Sequence, residues 1–312
     1  MFVRIAESNV GPGAAAVIPL PTVGDDRLDV LAYDGNFVSV AAVEDAPPTR
    51  RSRTALGPCY AQFVSVAPRI EQARIIAYRP AAGVAQLISL RGVPLNDMQV
   101  TSGCPFPLPN LTGASTHLIS GIKPDGELSW PFVLAYNAHS RHTCAYLLGW
   151  TPGVRRWITA TTTRLPGGIS SMTALRVGQQ AYVALVRERR LEIYVIKVTL
   201  QADRLAFSLD LTCGFDEWAQ ACGVQLTSLD DGPYRRTLVA YDILSGDVVA
   251  DRIEIVGSGR SALIPSGAPI TRLASASWPA GSLIAASDRR LLRYGPDDGV
   301  AELWGLETLT PA

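Results

Sequence analysis

The chain is poor in residues that bind metals or polyanions. It has three histidines and five cysteines in 312 residues, and only two of its cations, Lys123 and Lys197, are lysines. The histidines form no HxxxH or HExxH pattern and the cysteines no CxxC pair, so we expect no metal site. The odd number of cysteines also argues against a disulfide framework. The 28 basic and 28 acidic residues cancel, and no segment concentrates basic residues, which makes nucleic acid and anionic lipid poor candidate partners.

Long apolar segments and cofactor motifs are missing as well. No window approaches the roughly 18 apolar residues of a membrane span, and residues 1–8 lack the basic and apolar regions of a secretion signal. We therefore expect a cytoplasmic protein that does not bind membranes. The sequence has no GxSxG elbow, no P-loop, no dinucleotide fingerprint and no Asp-rich calcium loop. We expect any chemistry to proceed without a cofactor.

A strand-like segment that ends in Ala-Tyr or a similar pair is what the chain does contain. It occurs six times at steps of about 50 residues, the length of one propeller blade with its loops. A segment of small residues precedes most copies and another apolar strand follows. This pattern predicts an all-β fold, a six-bladed β-propeller with about four antiparallel strands per blade. Because the copies span nearly the whole chain, we predict a single domain over 1–312. The copies are 30–34, 75–79, 133–137, 183–187, 238–242 and 283–287.

The same alignment predicts the roles of the other strands. The third strands of four blades are 37–43, 84–90, 143–150 and 191–198. The N-terminal strand 2–6 is expected to complete the final blade with C-terminal strands, since this would close the ring and remove an exposed sheet edge. A short helix is expected near 216–221. The first strands are expected at 14–20, 62–67, 116–121, 172–177, 224–229 and 273–278.

One face of the predicted propeller is the default functional site. The loops that enter the first strands and the turns between second and third strands meet there, around the central channel. Polar residues expected there are Tyr60, Gln62, His117, Gln225 and Arg272. His117 also has a structural interpretation as a buried, hydrogen-bonded histidine. The recurring tyrosine favours an architectural role, with its ring between sheets and its hydroxyl on a loop.

Two resemblances suggest functions for such a face. Residues 271–278 followed by 282–287 resemble a blade of the fungal fucose-binding lectins, which implies sugar sites between blades. Those lectins repeat a tryptophan in register, whereas the tryptophans here do not recur in register. The chain as a whole, with six blades, no cofactor motif and apolar loops, resembles the propeller enzymes of fungal secondary metabolism, including hetero-Diels-Alderases. The tryptophans are Trp130, Trp150, Trp157, Trp218, Trp278 and Trp304.

The second resemblance implies a cofactor-independent cyclase or pericyclase of specialised metabolism. Such an enzyme holds an apolar terpene or polyketide substrate in a near-attack geometry and donates hydrogen bonds to a carbonyl. His117 and Arg272 are the preferred catalytic donors, with Tyr60, Gln62 and Gln225 as further candidates. The residues expected to enclose the substrate are Phe106, Leu108, Met172, Phe215, Trp218 and Tyr136.

Two alternatives remain open at the level of sequence. The first is a carbohydrate-binding lectin propeller. The second is a propeller that docks a peptide or protein, for which Trp218 and the Arg189-Arg190 pair would be the anchors. The sequence does not distinguish these classes, nor does it give the oligomeric state.

Overall fold

The structure is a computed structural model of the 312-residue chain. Strands dominate it, and its described helical segments are two 3-10 turns, Pro80–Ala82 and Gly259–Ser261. Most residues of the helix predicted near 216–221 lie outside the described part of the chain. The structure describes residues 1–20, 28–44, 52–69, 72–91, 99–102, 106–107, 116–125, 128–138, 140–151, 154–159, 163–201, 204–216, 218, 223–230, 235–287 and 289–307.

The strands of the described residues form six sheets, named A to F here, and the first strand, β1 (Phe2–Asn9), belongs to the last of them. Sheet A contains β2 (Ala16–Pro19), β3 (Leu28–Tyr33), β4 (Phe37–Val43) and β5 (Ser52–Ala55). Sheet B contains β6 (Gln62–Arg69), β7 (Gln72–Arg79) and β8 (Val84–Arg91), with β9 (Gln99–Ser102) and β10 (Phe106–Pro107) paired to β8. Sheet C contains β11 (Thr116–Asp125), β12 (Leu128–Asn137), β13 (His142–Thr151) and β14 (Val154–Thr159), with β15 (Thr163–Arg164) paired to β13.

The remaining three sheets follow the same order. Sheet D contains β16 (Ile169–Val177), β17 (Gln180–Arg187), β18 (Arg190–Gln201) and β19 (Arg204–Phe215). Sheet E contains β20 (Val224–Asp230), β21 (Arg236–Asp242), β22 (Asp247–Ile253) and β23 (Ile270–Ser277). Sheet F contains β24 (Leu283–Ser287), β25 (Arg290–Tyr294), β26 (Val300–Leu306) and β1.

By its contacts the chain divides into two compact units. The first comprises Met1–Thr112, Tyr241–Val249 and Leu273–Ala312, and the second comprises Gly113–Ala240 and Ala250–Arg272. In the first unit, one core cluster joins sheets F and A and another joins sheets A and B. In the second unit a cluster joins sheets C and D. The single domain over 1–312 stays a prediction.

The strand sequences explain this packing of successive sheets face to face. The second strand of sheet A, β3, is buried along its whole length. The second strands of sheets D and E, β17 and β21, are buried except at one or both ends. Strands covered on both faces are apolar throughout, without the alternation of a half-exposed sheet. Consecutive meanders packed in this way form a β-propeller. The predicted all-β propeller fold is therefore confirmed.

Sheet F confirms one prediction and corrects another. Strand β1 pairs antiparallel with β26, from Phe2 opposite Leu306 to Asn9 opposite Val300, so the N-terminal strand does complete the last sheet. The predicted first strand 273–278 instead lies within and just after β23, the outer strand of sheet E. Likewise 283–287, predicted as a second strand, is the first strand of sheet F. The alignment was wrong because the true second strand, β25, has a tyrosine but no preceding alanine.

Candidate functional site

Each sheet has an end that we call the turn end. It carries the turn between the second and third strands together with the connection that enters the first strand. Both lie at one end because neighbouring strands run in opposite directions. In sheet B, for example, Gln62 at the start of β6 pairs with Tyr78 near the end of β7. The residues predicted for a functional face are best judged against these turn ends.

Backbone strain among the described residues is concentrated at the turn ends. Four non-glycine residues have positive φ, namely Cys59 (71°), Arg141 (59°), Glu188 (48°) and Arg189 (70°). Cys59 precedes β6, Arg141 lies between β12 and β13, and Glu188 with Arg189 forms the turn between β17 and β18. A residue with a Cβ pays roughly 1–2 kcal/mol in the left-handed region, and such residues cluster at functional sites. The turn ends are therefore the candidate functional site.

The turn end of sheet D is built on a buried carboxylate. Glu192 is 3% exposed, and its Oε1 accepts hydrogen bonds from Nε and Nη2 of Arg187 at 3.3 and 3.0 Å. Arg190 Nε lies 3.3 Å from the same oxygen, and the hydroxyl of Tyr194 donates to Oε2 at 2.7 Å. We call these four residues the Glu192 cluster. It fixes both arginines that flank the strained turn.

Protonation of the Glu192 cluster follows from its surroundings. Burial by itself would raise the pKa of Glu192, but hydrogen bonds from Arg187 and Tyr194 and the nearby guanidinium charges outweigh it, so the pKa lies below its usual value. Burial, and then the bond to Glu192, raise the pKa of Tyr194. The carboxylate is therefore charged and the phenol neutral at pH 7.

Ion pairs extend from this cluster to the surface of the turn end. Arg190 Nη1 lies 2.7 Å from Asp216, whose side chain is 76% exposed, and Arg187 Nη1 lies 3.8 Å from Glu188. Gly214 allows the close approach of Arg190, since an added Cβ would lie 2.6 Å from its Nη2. The result is a surface that exposes both signs of charge.

Tyrosine hydroxyls tie several of the turn ends to the chain that leads into the next sheet. Tyr33 donates to the carbonyl of Gly57 at 2.8 Å and accepts the amide of Tyr60 at 3.4 Å. Tyr241 binds Pro279 and Ser282 in the same way, at 2.6 and 3.1 Å. We call this arrangement the tyrosine clasp. Tyr294 repeats it with the carbonyl of Gly11 and the amide of Ala14, at 2.7 and 3.0 Å.

The predicted architectural role of the recurring tyrosine is confirmed by these bonds. Tyr136, which was also predicted to enclose substrate, is fully buried and donates to the carbonyl of Pro166 at 3.1 Å. The predicted substrate residue Met172 is 6% exposed and packs in the same core cluster. Both side chains thus contribute to the core between sheets C and D.

His117 is the predicted donor whose surroundings are best defined. It is half-buried, lies opposite Tyr136 on the paired strand, and its ring stacks on the tyrosine ring at 6.1 Å between centroids. Burial lowers the pKa of His117, and a hydrogen bond with the backbone of Ile169 opposes this in part. The imidazole is therefore neutral at pH 7. His117, Tyr136 and Met172 are the predicted site residues that the structure brings together.

Tyr60 and Gln62 lie at the turn end of sheet B. Tyr60 is buried, and its hydroxyl donates to Gln86 Oε1 at 2.5 Å. The guanidinium carbon of Arg79 lies 4.8 Å from the centre of the Tyr60 ring. Gln62 is half-buried on β6. The Tyr60 hydroxyl therefore already donates its hydrogen bond to a side chain within the protein.

Arg272 does not occupy the predicted position. It was assigned to the loop that enters a first strand, but it lies on β23, the outer strand of sheet E, just after the connection from β22. That connection is at the end opposite the turn end. The guanidinium forms a two-pronged ion pair with Asp251, which is 2% exposed. Its observed role is to neutralise a buried carboxylate.

For the other predicted site residues the structure gives the burial or the strand position. Gln225 and Phe215 are half-buried on β20 and at the end of β19. Trp218 is 7% exposed, and its indole N–H has no hydrogen-bond partner among the described residues. The backbone of Phe106 pairs with Ala85, while its side chain, like all of Leu108, lies outside the described residues.

Sequence reasoning missed most of the Glu192 cluster. It singled out Arg189 and Arg190 but not the carboxylate that positions the turn. An available signal was the sequence Arg187 to Tyr194, in which charged residues flank a two-residue turn between two predicted strands. Pairing residues across that turn would have placed Arg187 opposite Arg190, close to Glu192.

Metal-ligand clusters and membrane-spanning helices are both absent from the described residues. Among these, no group of three or more His, Cys, Asp or Glu side chains is arranged to hold a metal ion. No helix in this part of the chain has the length and apolar character needed to span a bilayer.

The fold and the turn ends define a β-propeller with a charged, strained surface. No protein-family model and no curated protein matches the chain. Among solved structures it is similar to the WD40 domain of SCAP from fission yeast, at 11% identity and a TM-score of 0.46. That similarity covers 96% of this chain and 76% of the other.

Proposed function

We propose that this protein is a docking propeller that binds another protein through the turn end of sheet D. The observation that carries the proposal is the turn at Glu188 and Arg189, where two charged residues adopt positive φ. Hairpin turns of this kind strongly favour Asn-Gly. Glu-Arg makes the turn less stable than Asn-Gly would. Such a destabilised turn is expected where the side chains themselves are needed for function.

The chemistry of the surface supports a polar protein partner. Glu188 and Asp216 are about three-quarters exposed, and Arg190 is 39% exposed beside the exposed Arg189. Arginine is a frequent anchor of protein interfaces, and the Glu192 cluster holds Arg190 in place before binding. Exposed charges of both signs specify the orientation of a partner with complementary charges.

Reconstitution with a purified partner tests this proposal. A candidate would be captured from the native host, produced separately and titrated against the wild-type protein by calorimetry. We expect Arg189→Ala to weaken binding at least tenfold, whereas Arg260→Ala, which removes an exposed arginine from the turn Gly259–Ser261, leaves it unchanged. Equal binding by both variants would show that the turn end of sheet D is not the interface.

A cofactor-independent cyclase is the second candidate, and His117 is the observation that favours it. The neutral imidazole is stacked on Tyr136 and uses its N–H on the backbone of Ile169. Its other ring nitrogen can accept a hydrogen bond or a proton from a substrate. The predicted apolar substrate and the donors Gln62 and Gln225 belong to this candidate. So do the enclosing residues other than Tyr136 and Met172, namely Phe106, Leu108, Phe215 and Trp218. If a cyclisation is found, His117→Ala should lower kcat while the folded state persists.

A lectin activity would appear in a different assay. Binding of neutral monosaccharides, followed by ligand-observed NMR, would favour it over docking. We also propose that sheets A to F are the six blades of a closed ring sealed by β1 and that the protein works in the cytoplasm. An experimental structure and localisation of the tagged protein test these two points.

A further inference from the structure

Arg79 is a half-buried cation without an anionic partner. It ends β7 at the turn end of sheet B, and its guanidinium lies over the ring of Tyr60. Its Nε is shielded from solvent, and within the described part of the chain this atom has no hydrogen-bond partner and Arg79 forms no ion pair. A buried guanidinium N–H without an acceptor is unfavourable.

Arg53 of sheet A shows what is missing. Its guanidinium also lies over an aromatic ring, that of Phe37, at 4.0 Å from the centroid. Arg53 Nη2, however, is 3.0 Å from Asp34 Oδ2. The two arginines thus share the aromatic contact, and Asp34 supplies the carboxylate that Arg79 lacks.

The aromatic platform beneath Arg79, formed by Tyr60 and Tyr33, is held in place by its neighbours. The hydroxyl of Tyr60 bonds to Gln86, and the ring packs edge-on against Tyr33 at 6.3 Å between centroids. On another side, a Cβ built on Gly57 would be 3.7 Å from Arg79 Nη2. The platform is tied further by the clasp of Tyr33 on Gly57. A guanidinium that lies on a fixed ring has fewer positions available, which reduces the entropy that it loses when it binds a ligand.

We propose that Arg79 binds the carboxylate group of a ligand at the turn end of sheet B. The planar guanidinium matches a carboxylate with two parallel hydrogen bonds. Arg79 is the cation that lies over Tyr60 and acts on Tyr33, and its single positive charge balances a monoanion better than a phosphate dianion. The inference goes beyond the docking proposal, because it involves other residues on another sheet.

Benzoate is a suitable probe, with benzamide as its neutral counterpart. We expect ligand-observed NMR to detect benzoate binding to the wild-type protein and little binding of benzamide. Arg79→Gln should weaken benzoate binding at least tenfold, Arg79→Lys less, and Arg53→Gln not at all. Circular dichroism would verify that each variant is folded.

Chemical modification gives a second test that does not depend on substitution. Phenylglyoxal reacts with accessible arginines, and mass spectrometry follows each site. Benzoate should slow modification of Arg79 at least threefold and leave Arg53 unaffected. Equal benzoate binding by Arg79→Gln and wild type, or binding of phenyl phosphate in preference to benzoate, overturns the proposal. Neither result would bear on Arg189.

Discussion

The strained turn between β17 and β18 allows stability and binding to be separated. Replacing Glu188-Arg189 with Asn-Gly keeps the length of the turn and supplies the residues that positive φ favours. Arg189→Gly alone relieves one of the two positions. Arg189→Ala removes the same side chain while keeping a Cβ in the left-handed region, so it is the matched control.

The backbone conformation of the turn sets the expected change in the free energy of unfolding. Two residues with a Cβ in the left-handed region together cost about 2–4 kcal/mol. Asn retains part of this cost, and Gly adds about 0.5–1 kcal/mol through the greater freedom of the unfolded chain. The exposed Glu188 contributes little through its 3.8 Å contact with Arg187. We expect a net stabilisation of about 1 kcal/mol, or about 2 °C in Tm for a chain of this size.

Urea unfolding followed by circular dichroism measures the change. The Asn-Gly and Arg189→Gly variants should unfold at higher urea concentrations than the wild type, whereas Arg189→Ala should not. All three should lose binding of the docking partner. A stabilised Asn-Gly variant that still binds the partner would refute the reasoning, because the strain would then serve no recognition. Absence of any stabilisation would refute the strain itself.

Three further measurements test other parts of the structure. Tyr241→Phe removes the bonds to Pro279 and Ser282, and we expect urea unfolding to show a loss of about 1–3 kcal/mol, with no loss contradicting the tyrosine clasp. Glu192→Gln should cost about 1–2 kcal/mol at pH 7, discounted for the partly exposed arginines. Since the pKa of Glu192 is lowered, its contribution should be present above the unfolded value of about 4.3 and fade as the pH falls. The pKa of His117 is also lowered, so the wild type should lose stability as the pH falls below about 6.5. His117→Asn should lose less stability over the same range. Identical pH profiles of the two proteins would contradict the lowered pKa.

The propeller was predictable because its signals are local. A buried second strand is apolar along most of its length and ends in a tyrosine, so Tyr33, Tyr78, Tyr136 and Tyr241 marked four sheets directly. The sixth sheet was misaligned because Leu283–Ser287 resembles a second strand in composition but lies at the edge as β24. That error also transferred Arg272 to the wrong end of a sheet. Strand order depends on pairing between distant segments, which composition does not encode.

The candidate site was less predictable because it depends on pairs formed across turns and between strands. Arg79 and Arg53 both lie over aromatic rings, yet among the residues that the structure describes only Arg53 has a carboxylate within 4 Å. Nothing in the neighbouring sequence of either arginine reveals that difference. Likewise, the positive φ of Glu188 and Arg189 contradicts what their residue types favour, so sequence preference alone would assign the turn incorrectly.

Departures from the repeat are the more informative positions in this molecule. In three complete tyrosine clasps the hydroxyl binds a carbonyl and the amide three residues later. At Tyr136 the described residues show the carbonyl bond to Pro166, and the backbone carbonyl of Ile169, three residues on, accepts a hydrogen bond from His117. The imidazole places a titratable group on the ring of Tyr136. If the protein is a cyclase, the second function proposed above, replacing His117 should lower kcat without unfolding the protein, whereas replacing a tyrosine of a complete clasp should lower the stability.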